Sequence, residues 1–90
     1  ALPIPAGTVL VHEGDEPDAL YIVVSGRFSV EVAAAREPVA EIGSGGTIGE
    51  IAFFAGGRRT ATCRAIRDSS VLRLTRADFD GISQQAPAIW

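Results

Sequence analysis

The stretch that decides the fold is Gly49-Glu50-Ile51-Ala52-Phe53-Phe54-Ala55-Gly56-Gly57-Arg58-Arg59-Thr60-Ala61-Thr62. Glycines also precede it at positions 43, 45 and 46, so residues with a permissive backbone are concentrated around this stretch. Carboxylate, guanidinium and hydroxyl groups stand there among small side chains. This composition predicts a pocket in which main-chain N–H groups come close to a small anion.

Outside this stretch, short apolar runs alternate with turn residues. The segment Leu2–Gly7 contains two prolines and a glycine and is predicted to be an extended lead-in. The predicted strands are Thr8–Val11, Ala19–Ser25, the alternating run Phe28–Val32, Val39–Ile42, Thr60–Ala65 and Ser70–Thr75. Short strands at this spacing, about 8–12 residues, predict a mainly β chain, an antiparallel jelly roll or double-stranded β-helix.

Two short helices complete this prediction. The run Ile51–Phe54 suits one internal helical turn packed on the core, and Glu50 at its start suits the partial positive charge of a helix N-terminus. The pattern Thr75-Arg76-Ala77-Asp78 is typical of a helix N-cap. The positions that follow it at helical spacing are Phe79, Ile82 and Gln85. Pro87 is expected to interrupt this C-terminal helix.

Size and charge limit the possible functions. Ninety residues predict one domain, residues 1–90, with a single modest core. The net charge of −3 argues against a nucleic-acid-binding face, and no apolar run reaches the roughly 18 residues that a membrane helix needs. All eight basic residues are arginines, which excludes a P-loop lysine and a Schiff-base lysine. The single cysteine and the lack of a signal peptide at Ala1 favour a cytoplasmic location.

Residues suited to catalysis are scarce. The single histidine, His12, stands beside an acidic loop and is interpreted as structural. Metal sites in jelly rolls use several histidines, so we expect no metal. No serine stands in a G-x-S-x-G motif, so we also expect no catalysis, and no cofactor is expected. Cys63 lies in a predicted strand, where a buried small hydrophobe is favoured over a redox sensor. The loop of residues 13–18 carries four carboxylates and is interpreted as solvated.

Glu50 and Arg59 are nine residues apart, across a predicted helical turn and a glycine corner. A simple ion pair at a loop edge is one interpretation. The other is ligand binding, because an arginine fork matches two phosphate oxygens and Ile51 and Ala52 offer N–H groups at a helix start. Glu50, as an acceptor, would then suit a ribose hydroxyl.

The stretch resembles the phosphate-binding cassette of cyclic nucleotide-binding domains, which occur in kinase regulatory subunits, cyclic-nucleotide-gated channels and bacterial catabolite-activator proteins. The match consists of Gly49-Glu50-Ile51-Ala52, six further residues, and Arg59-Thr60-Ala61-Thr62. The resemblance covers nearly the whole chain. Its other matching segments are Pro5–Leu10, Glu13–Asp15, Tyr21–Gly26 and Asp68–Leu74. It implies a binding module rather than an enzyme.

The resemblance implies a role for each residue of the cassette. Arg59 would hold the cyclic phosphate, Glu50 would bind the ribose 2′-hydroxyl, and the Gly49 backbone would line the sugar. The implied main-chain donors are those of Ala52 and of Thr60 or Ala61. The other implied ligand-binding residues are Ile51 and, facing inward on the strands that form the base site and pocket wall, Val30, Ala40 and Ile42. The Thr60 hydroxyl can bond guanine, but many cAMP-binding members share it, so cAMP and cGMP both remain open.

The chain departs from the family pattern at its ends. The N-terminal helices are missing, and the final helix, which covers the base and carries the switch, is missing or barely begun after Pro87. Trp90 is expected to pack at a free end. Arg58 stands where the family often has proline or an acidic residue, and it is expected to point to solvent, with extra attraction for the anion as the alternative.

The hypothesis from the sequence is therefore a regulatory sensor domain that binds cAMP or cGMP, with an effector domain in the same parent chain. The helical turn that carries Glu50, Ile51 and Ala52 would pass the signal to Phe53 and Phe54. Neither nucleic acid nor membrane is an expected partner of this domain. One alternative is a degenerate domain that serves as a structural or docking module without ligand. A small jelly-roll metalloenzyme is the less favoured alternative.

Overall fold

The computed structural model describes residues 1–85, and for residues 83–85 it describes the backbone alone. The strands are β1 Leu2–Ile4, β2 Val9–Val11, β3 Ala19–Ser25, β4 Arg27–Glu31, β5 Ala40–Gly43, β6 Thr47–Ile48, β7 Thr62–Ala65 and β8 Ser69–Thr75, and the helices are α1 Glu50–Ala55 and α2 Arg76–Gln85. The predicted mainly β chain, with a short internal helix and a C-terminal helix, is confirmed. Neither helix within residues 1–85 is long and apolar enough to cross a membrane.

The strands form two four-stranded antiparallel sheets. One sheet has the order β1-β8-β3-β6 and the other has the order β2-β7-β4-β5. Helix α1 lies in the connection from β6 at the edge of the first sheet to β7 inside the second. The predicted binding stretch is therefore the segment that crosses between the sheets.

The segment Leu2–Gly7 begins as extended chain, as predicted, but it also contains a strand that was not predicted. Its first residues form strand β1, which pairs with β8 so that Leu2 lies opposite Val71 and Ile4 opposite Ser69. A strand is possible there because β1 is at the sheet edge, where proline needs to supply no ladder N–H on its outer side. The neighbouring strand β3 has the predicted bounds Ala19–Ser25.

The core lies between the two sheets. Its largest fully buried side chains in the described chain are Phe28, Phe53, Ile48, Val23 and Val71. Tyr21 and Val23 from β3 and Phe28, Cys63 and Ala65 from the second sheet belong to one cluster of buried residues. Because both sheets contribute buried side chains to one cluster, the strands before and after the binding stretch pack on the same core.

Burial along strands β4 and β5 departs from simple inward and outward alternation. In the alternating run Phe28–Val32, Ser29 falls between the inward positions Phe28 and Val30 and would face outward, yet it is buried. Its hydroxyl donates to Glu31 Oε2 at 2.8 Å. Ala40 was expected to face inward and is exposed. It lies opposite Val30, but it begins the edge strand β5, where its short side chain is left uncovered. Ile42, further along β5, is half-buried and packs against the core as expected.

Helix α2 begins with the predicted N-cap. The Thr75 N–H donates to Asp78 Oδ2 at 3.0 Å, and the Asp78 N–H donates to Thr75 Oγ1 at 3.2 Å. This reciprocal pair is a capping box. The hydrogen bonds from the Thr75 backbone and then its side chain lower the pKa of Asp78. The expectations for the Gln85 side chain, Pro87 and Trp90 lie outside the described part of the chain.

Candidate functional site

A cavity of about 130 Å³ lies beside α1, between the cassette and the second sheet. It is lined by Val11, Val30, Ile42, Thr47, Gly49, Glu50, Ile51, Ala52, Arg59, Thr60, Ala61 and Cys63. The predicted site residues all line this cavity except Ala40, which lies opposite Val30 but is exposed at the sheet edge. The sequence reasoning missed Val11, Thr47 and Cys63, which reach the cavity from other strands.

The turn into α1 brings the backbone close to Arg59. Gly49 caps the helix with a left-handed backbone, φ +82°, and a Cβ built there would overlap Arg59 Nη1. The Phe53 N–H donates to the Gly49 carbonyl at 3.1 Å, which is the first main-chain bond of the helix. The N–H groups of Glu50, Ile51 and Ala52 precede that bond and are therefore the donors a helix start leaves without an internal partner.

Arg59 is the most unusual side chain of the cavity, since a charged group is only 4% exposed there. Its Nη2 donates to the Ala19 carbonyl at 2.7 Å and to Asp18 Oδ1 at 3.1 Å. Its Nη1 has a longer contact, 3.5 Å, with the Gly49 carbonyl. The fork is thus held from the side of β3 while the same residue lines the cavity.

The ion-pair interpretation of Glu50 and Arg59 was wrong. Within residues 1–85, the carboxylate that pairs with Arg59 is Asp18, and Glu50 forms no ion pair with it. Asp18 belongs to the loop that was interpreted as solvated, and its second oxygen pairs with Arg73 at 3.2 Å. Asp18 therefore bridges two arginines, a role that its loop composition did not indicate.

The residues on either side of Arg59 differ in their position relative to the cavity. Strand β7 begins at Thr62, two residues later than predicted, so Thr60 and Ala61 lie on the cavity wall ahead of the ladder. Arg58 is exposed, as predicted, and pairs with Glu16 at 3.2 Å on the outer surface. Of the two adjacent arginines, only Arg59 lines the cavity.

Cys63 lies on the apolar wall of the cavity. Burial, and then the nearby Glu50 carboxylate, raise the pKa of its thiol to about 11. A thiol in this state is mostly protonated at neutral pH and is a poor nucleophile. This favours the interpretation of Cys63 as a buried small hydrophobe.

The other chemically interesting groups do not gather into a second site. His12 is exposed and lies 3.7 Å from Asp15. Within residues 1–85, no group of three or more histidine, cysteine, aspartate or glutamate side chains is placed to hold a metal ion. A wider depression of about 660 Å³ lies beside the β4–β5 connection, but Glu31 and Arg64 on its wall pair with each other at 3.3 Å. The cavity at α1 is therefore the candidate site.

The description of the family whose model matches this chain is cyclic nucleotide-binding domain, and the match covers residues 2–86. The chain belongs to the cyclic nucleotide-binding domain family. The resemblance drawn from the cassette is thereby confirmed.

Two relatives show the setting in which similar domains occur. The chain is 35% identical to lysophospholipase nte1 of Neosartorya fischeri over 91 residues, covering 98% of this chain and 6% of that protein. It is 40% identical to an uncharacterised NTE family protein of Mycobacterium tuberculosis over 86 residues, covering 96% of this chain and 15% of that protein. The chain thus spans a small part of the relatives that it matches. Such domains are regulatory modules of larger proteins.

Two solved structures share the fold closely. Thermus thermophilus catabolite activator protein aligns with a TM-score of 0.85 and 28% identity, covering 96% of this chain and 42% of that one. The EAL enzyme Bd1971 has been solved in cAMP-bound and cGMP-bound forms, and each aligns with a TM-score of 0.80 and 27% identity, covering 91% of this chain and 23% of that one. These neighbours confirm the jelly-roll fold of the family.

Proposed function

We propose that this chain binds a cyclic nucleotide, cAMP or cGMP, in the cavity at α1 and acts as a sensor within a larger protein, without catalysis of its own. The observation that carries the proposal is Arg59, a nearly buried guanidinium that lines a cavity together with the first residues of α1. The first N–H groups of a helix have no partner within the helix. A buried cation of this kind suits an anionic ligand. A cyclic phosphate is the anion for which the family's cassette is named.

In this proposal the phosphate is bound by Arg59 and by main-chain donors. Two of the five guanidinium donors are held on Nη2 by Asp18 and Ala19, and one on Nη1 makes the longer contact with the Gly49 carbonyl. The Nε donor and the second Nη1 donor are left for the ligand. The main-chain donors are those of Ala52 and of Thr60 or Ala61. Each charge-assisted hydrogen bond contributes about 1.5–3 kcal/mol.

The ribose and the base are assigned to different residues of the same cavity. Glu50 accepts the 2′-hydroxyl, and Gly49, which has no side chain, lets the sugar approach the backbone. Val30 and Ile42 provide an apolar wall for the base, together with Val11. The cavity is smaller than the roughly 300–1,000 Å³ of complete small-molecule sites, so part of the nucleotide extends beyond it.

Thr60 is the cavity residue that would distinguish cGMP from cAMP. Thr60 lines the cavity and is exposed, so its hydroxyl is accessible for a hydrogen bond with a purine substituent. The EAL enzyme Bd1971, which shares the fold, has been solved with each of the two nucleotides. We therefore propose both as ligands.

The signal passes from the cavity to α2 through aromatic rings. Ala52 and Ile51 line the cavity, and the next residue, Phe53, packs edge-on against Phe79 of α2 with ring centroids 5.8 Å apart. Phe54 also contacts Phe79, at 5.0 Å. A ligand shifts the equilibrium between two arrangements of α2 only if it binds one of them more tightly. The proposed signal therefore requires that α1, which contacts the ligand, differs between the two arrangements of α2.

The proposal is tested by titration calorimetry of the folded chain with cAMP, with cGMP and with adenosine, which lacks the phosphate. We expect saturable heat with at least one cyclic nucleotide and much weaker binding of adenosine. No heat at millimolar cyclic nucleotide, with an unchanged circular dichroism spectrum, would instead support a structural or docking module. Equal affinity for adenosine and cAMP would refute the role of the phosphate.

A further inference from the structure

Arg73 of β8 lies outside the cavity lining and yet is connected to Arg59. Asp18 forms the connection, because its Oδ1 pairs with Arg59 Nη2 at 3.1 Å and its Oδ2 pairs with Arg73 Nη2 at 3.2 Å. The two arginines differ in exposure, since 3% of the Arg59 side chain and 39% of the Arg73 side chain are exposed. A buried cation is thus linked to a surface cation through one carboxylate.

Tyr21 forms a second connection between the same arginines. It lies directly opposite Arg73 in the pairing of β3 with β8, and it is buried. The Arg59 guanidinium carbon lies 6.0 Å from the centre of the Tyr21 ring. The interaction with Tyr21, ahead of that with Asp18, raises the pKa of Arg73. Tyr21 therefore lies opposite Arg73 in the sheet and against Arg59, while Asp18 pairs with both arginines.

The charges of this group decide how much attraction Arg59 keeps for an anion. Asp18 alone would neutralise Arg59, and a neutral pair attracts a phosphate weakly. With Arg73 on its other oxygen, the three side chains together carry one positive charge. Asp18, held at both oxygens, also fixes the Nη2 side of Arg59, so that the remaining donors keep their direction.

We propose that Arg73 is a positioning residue for the phosphate-binding arginine: it fixes Asp18 and offsets its charge, so that Arg59 stays oriented and positive toward an anionic ligand. This inference rests on the proposed function, because it assigns Arg59 to the phosphate. The sequence alone does not indicate it, since Asp18 and Arg73 are 55 residues apart.

The first test compares affinities for cAMP and cGMP by calorimetry. We expect Arg73→Gln to weaken binding about two- to fivefold, the range that one partly exposed ion pair allows, and Arg73→Lys to retain most of the affinity. Arg36→Gln is the matched control, because Arg36 is an exposed arginine of the β4–β5 connection and its loss removes the same charge. Unchanged affinity in Arg73→Gln, or an equal loss in Arg36→Gln, would overturn the proposal.

A double-mutant cycle shows whether Arg73 acts through Asp18. In an Asp18→Asn background, we expect Arg73→Gln to change the affinity no more than Arg36→Gln does. A general loss of stability would instead lower the affinity equally in both backgrounds. An undiminished effect of Arg73→Gln in the Asp18→Asn background would refute the route through Asp18.

A ligand-free measurement separates this inference from the proposed function. Hydrogen exchange of the Arg59 guanidinium protons, followed by NMR, is expected to be faster in Arg73→Gln than in the unaltered chain or in Arg36→Gln. If the unaltered chain binds neither nucleotide, the proposed function fails, and this exchange still decides whether Arg73 positions Arg59. Equal exchange in all three proteins would overturn the positioning role.

Discussion

The guanidinium of Arg76, at the start of α2, lies over the ring of Phe53 in α1, with its carbon 3.9 Å from the ring centre. The same side chain donates to the Phe53 carbonyl oxygen. Phe53 is almost fully buried and directly follows the cavity-lining residue Ala52. One arginine thus joins the helix of the cassette to the C-terminal helix.

This contact predicts a loss of stability in Arg76→Ala. A cation–π contact contributes about 0.5–2 kcal/mol and a hydrogen bond about 1 kcal/mol, so we expect the free energy of unfolding to fall by about 1–2 kcal/mol. In a domain of this size, that change lowers the thermal midpoint by several degrees. Arg67→Ala, at an exposed arginine of the β7–β8 turn, is the control and should change the midpoint little. Equal midpoints for the two variants would contradict the contact.

The close approach of Gly49 to Arg59 predicts different effects of alanine at two similar glycines. Gly49 and Gly45 both have a left-handed backbone, at φ +82° and +85°. An alanine in that conformation costs about 1–2 kcal/mol at either position. A Cβ at Gly49 would also overlap Arg59 Nη1, whereas a Cβ at Gly45 would have nothing within 4 Å.

We therefore expect both Gly49→Ala and Gly45→Ala to lower the thermal midpoint, and only Gly49→Ala to weaken cyclic nucleotide binding strongly. Calorimetric titration of both variants, at a temperature where both are folded, measures this difference. A normal affinity in Gly49→Ala would show that the position of Arg59 does not depend on the bare backbone there.

The raised pKa of Cys63 predicts a pH dependence of stability. The folded thiol has a pKa of about 11, raised from its ordinary value of 9.0, so the unfolded chain loses its proton first as the pH rises. Stability from the neutral thiol is therefore fully present below pH 9 and is lost progressively up to about pH 11. Urea unfolding should show that the free energy of unfolding falls more between pH 8 and pH 10.5 in the unaltered chain than in Cys63→Ala. The same decrease in both proteins would assign it to other groups.

Local patterns predicted much of the fold. The apolar run Ala19–Ser25 forms β3 at the expected bounds, because seven residues rich in β-branched and aromatic side chains fit a buried strand. The Thr75–Asp78 cap was also predictable, since both hydrogen bonds lie within one turn. Both features depend on residues close together in the chain.

The errors concern contacts that only the folded chain creates. Asp18 meets Arg59 across 41 residues, and nothing in its loop distinguishes it from the exposed carboxylates beside it. Ala40 follows the correct alternation, opposite Val30, but its strand is at an edge where nothing covers a short side chain. Pairing partners and sheet edges are set by topology, which local periodicity does not contain.

The cassette was predicted correctly in its position but not in its electrostatics. Its spacing placed Gly49, Glu50 and Arg59 in one site, and they line one cavity. Its electrostatics differ from the expectation, because Arg59 pairs with a carboxylate outside the cassette. Glu50 forms no ion pair with Arg59 in residues 1–85, so it keeps its acceptor oxygens for the proposed ribose contact.

The measurement that tests the central claim most directly is the affinity of Arg59→Ala for cAMP and cGMP, compared with that of Arg58→Ala. The two arginines are adjacent and equal in charge, but Arg59 lines the cavity and Arg58 pairs with Glu16 at the surface. We predict a loss of about tenfold or more in Arg59→Ala, from at least one charge-assisted hydrogen bond, and a change below about twofold in Arg58→Ala. A folded Arg59→Ala variant that binds either nucleotide as tightly as the unaltered chain would contradict the assignment of the phosphate to Arg59.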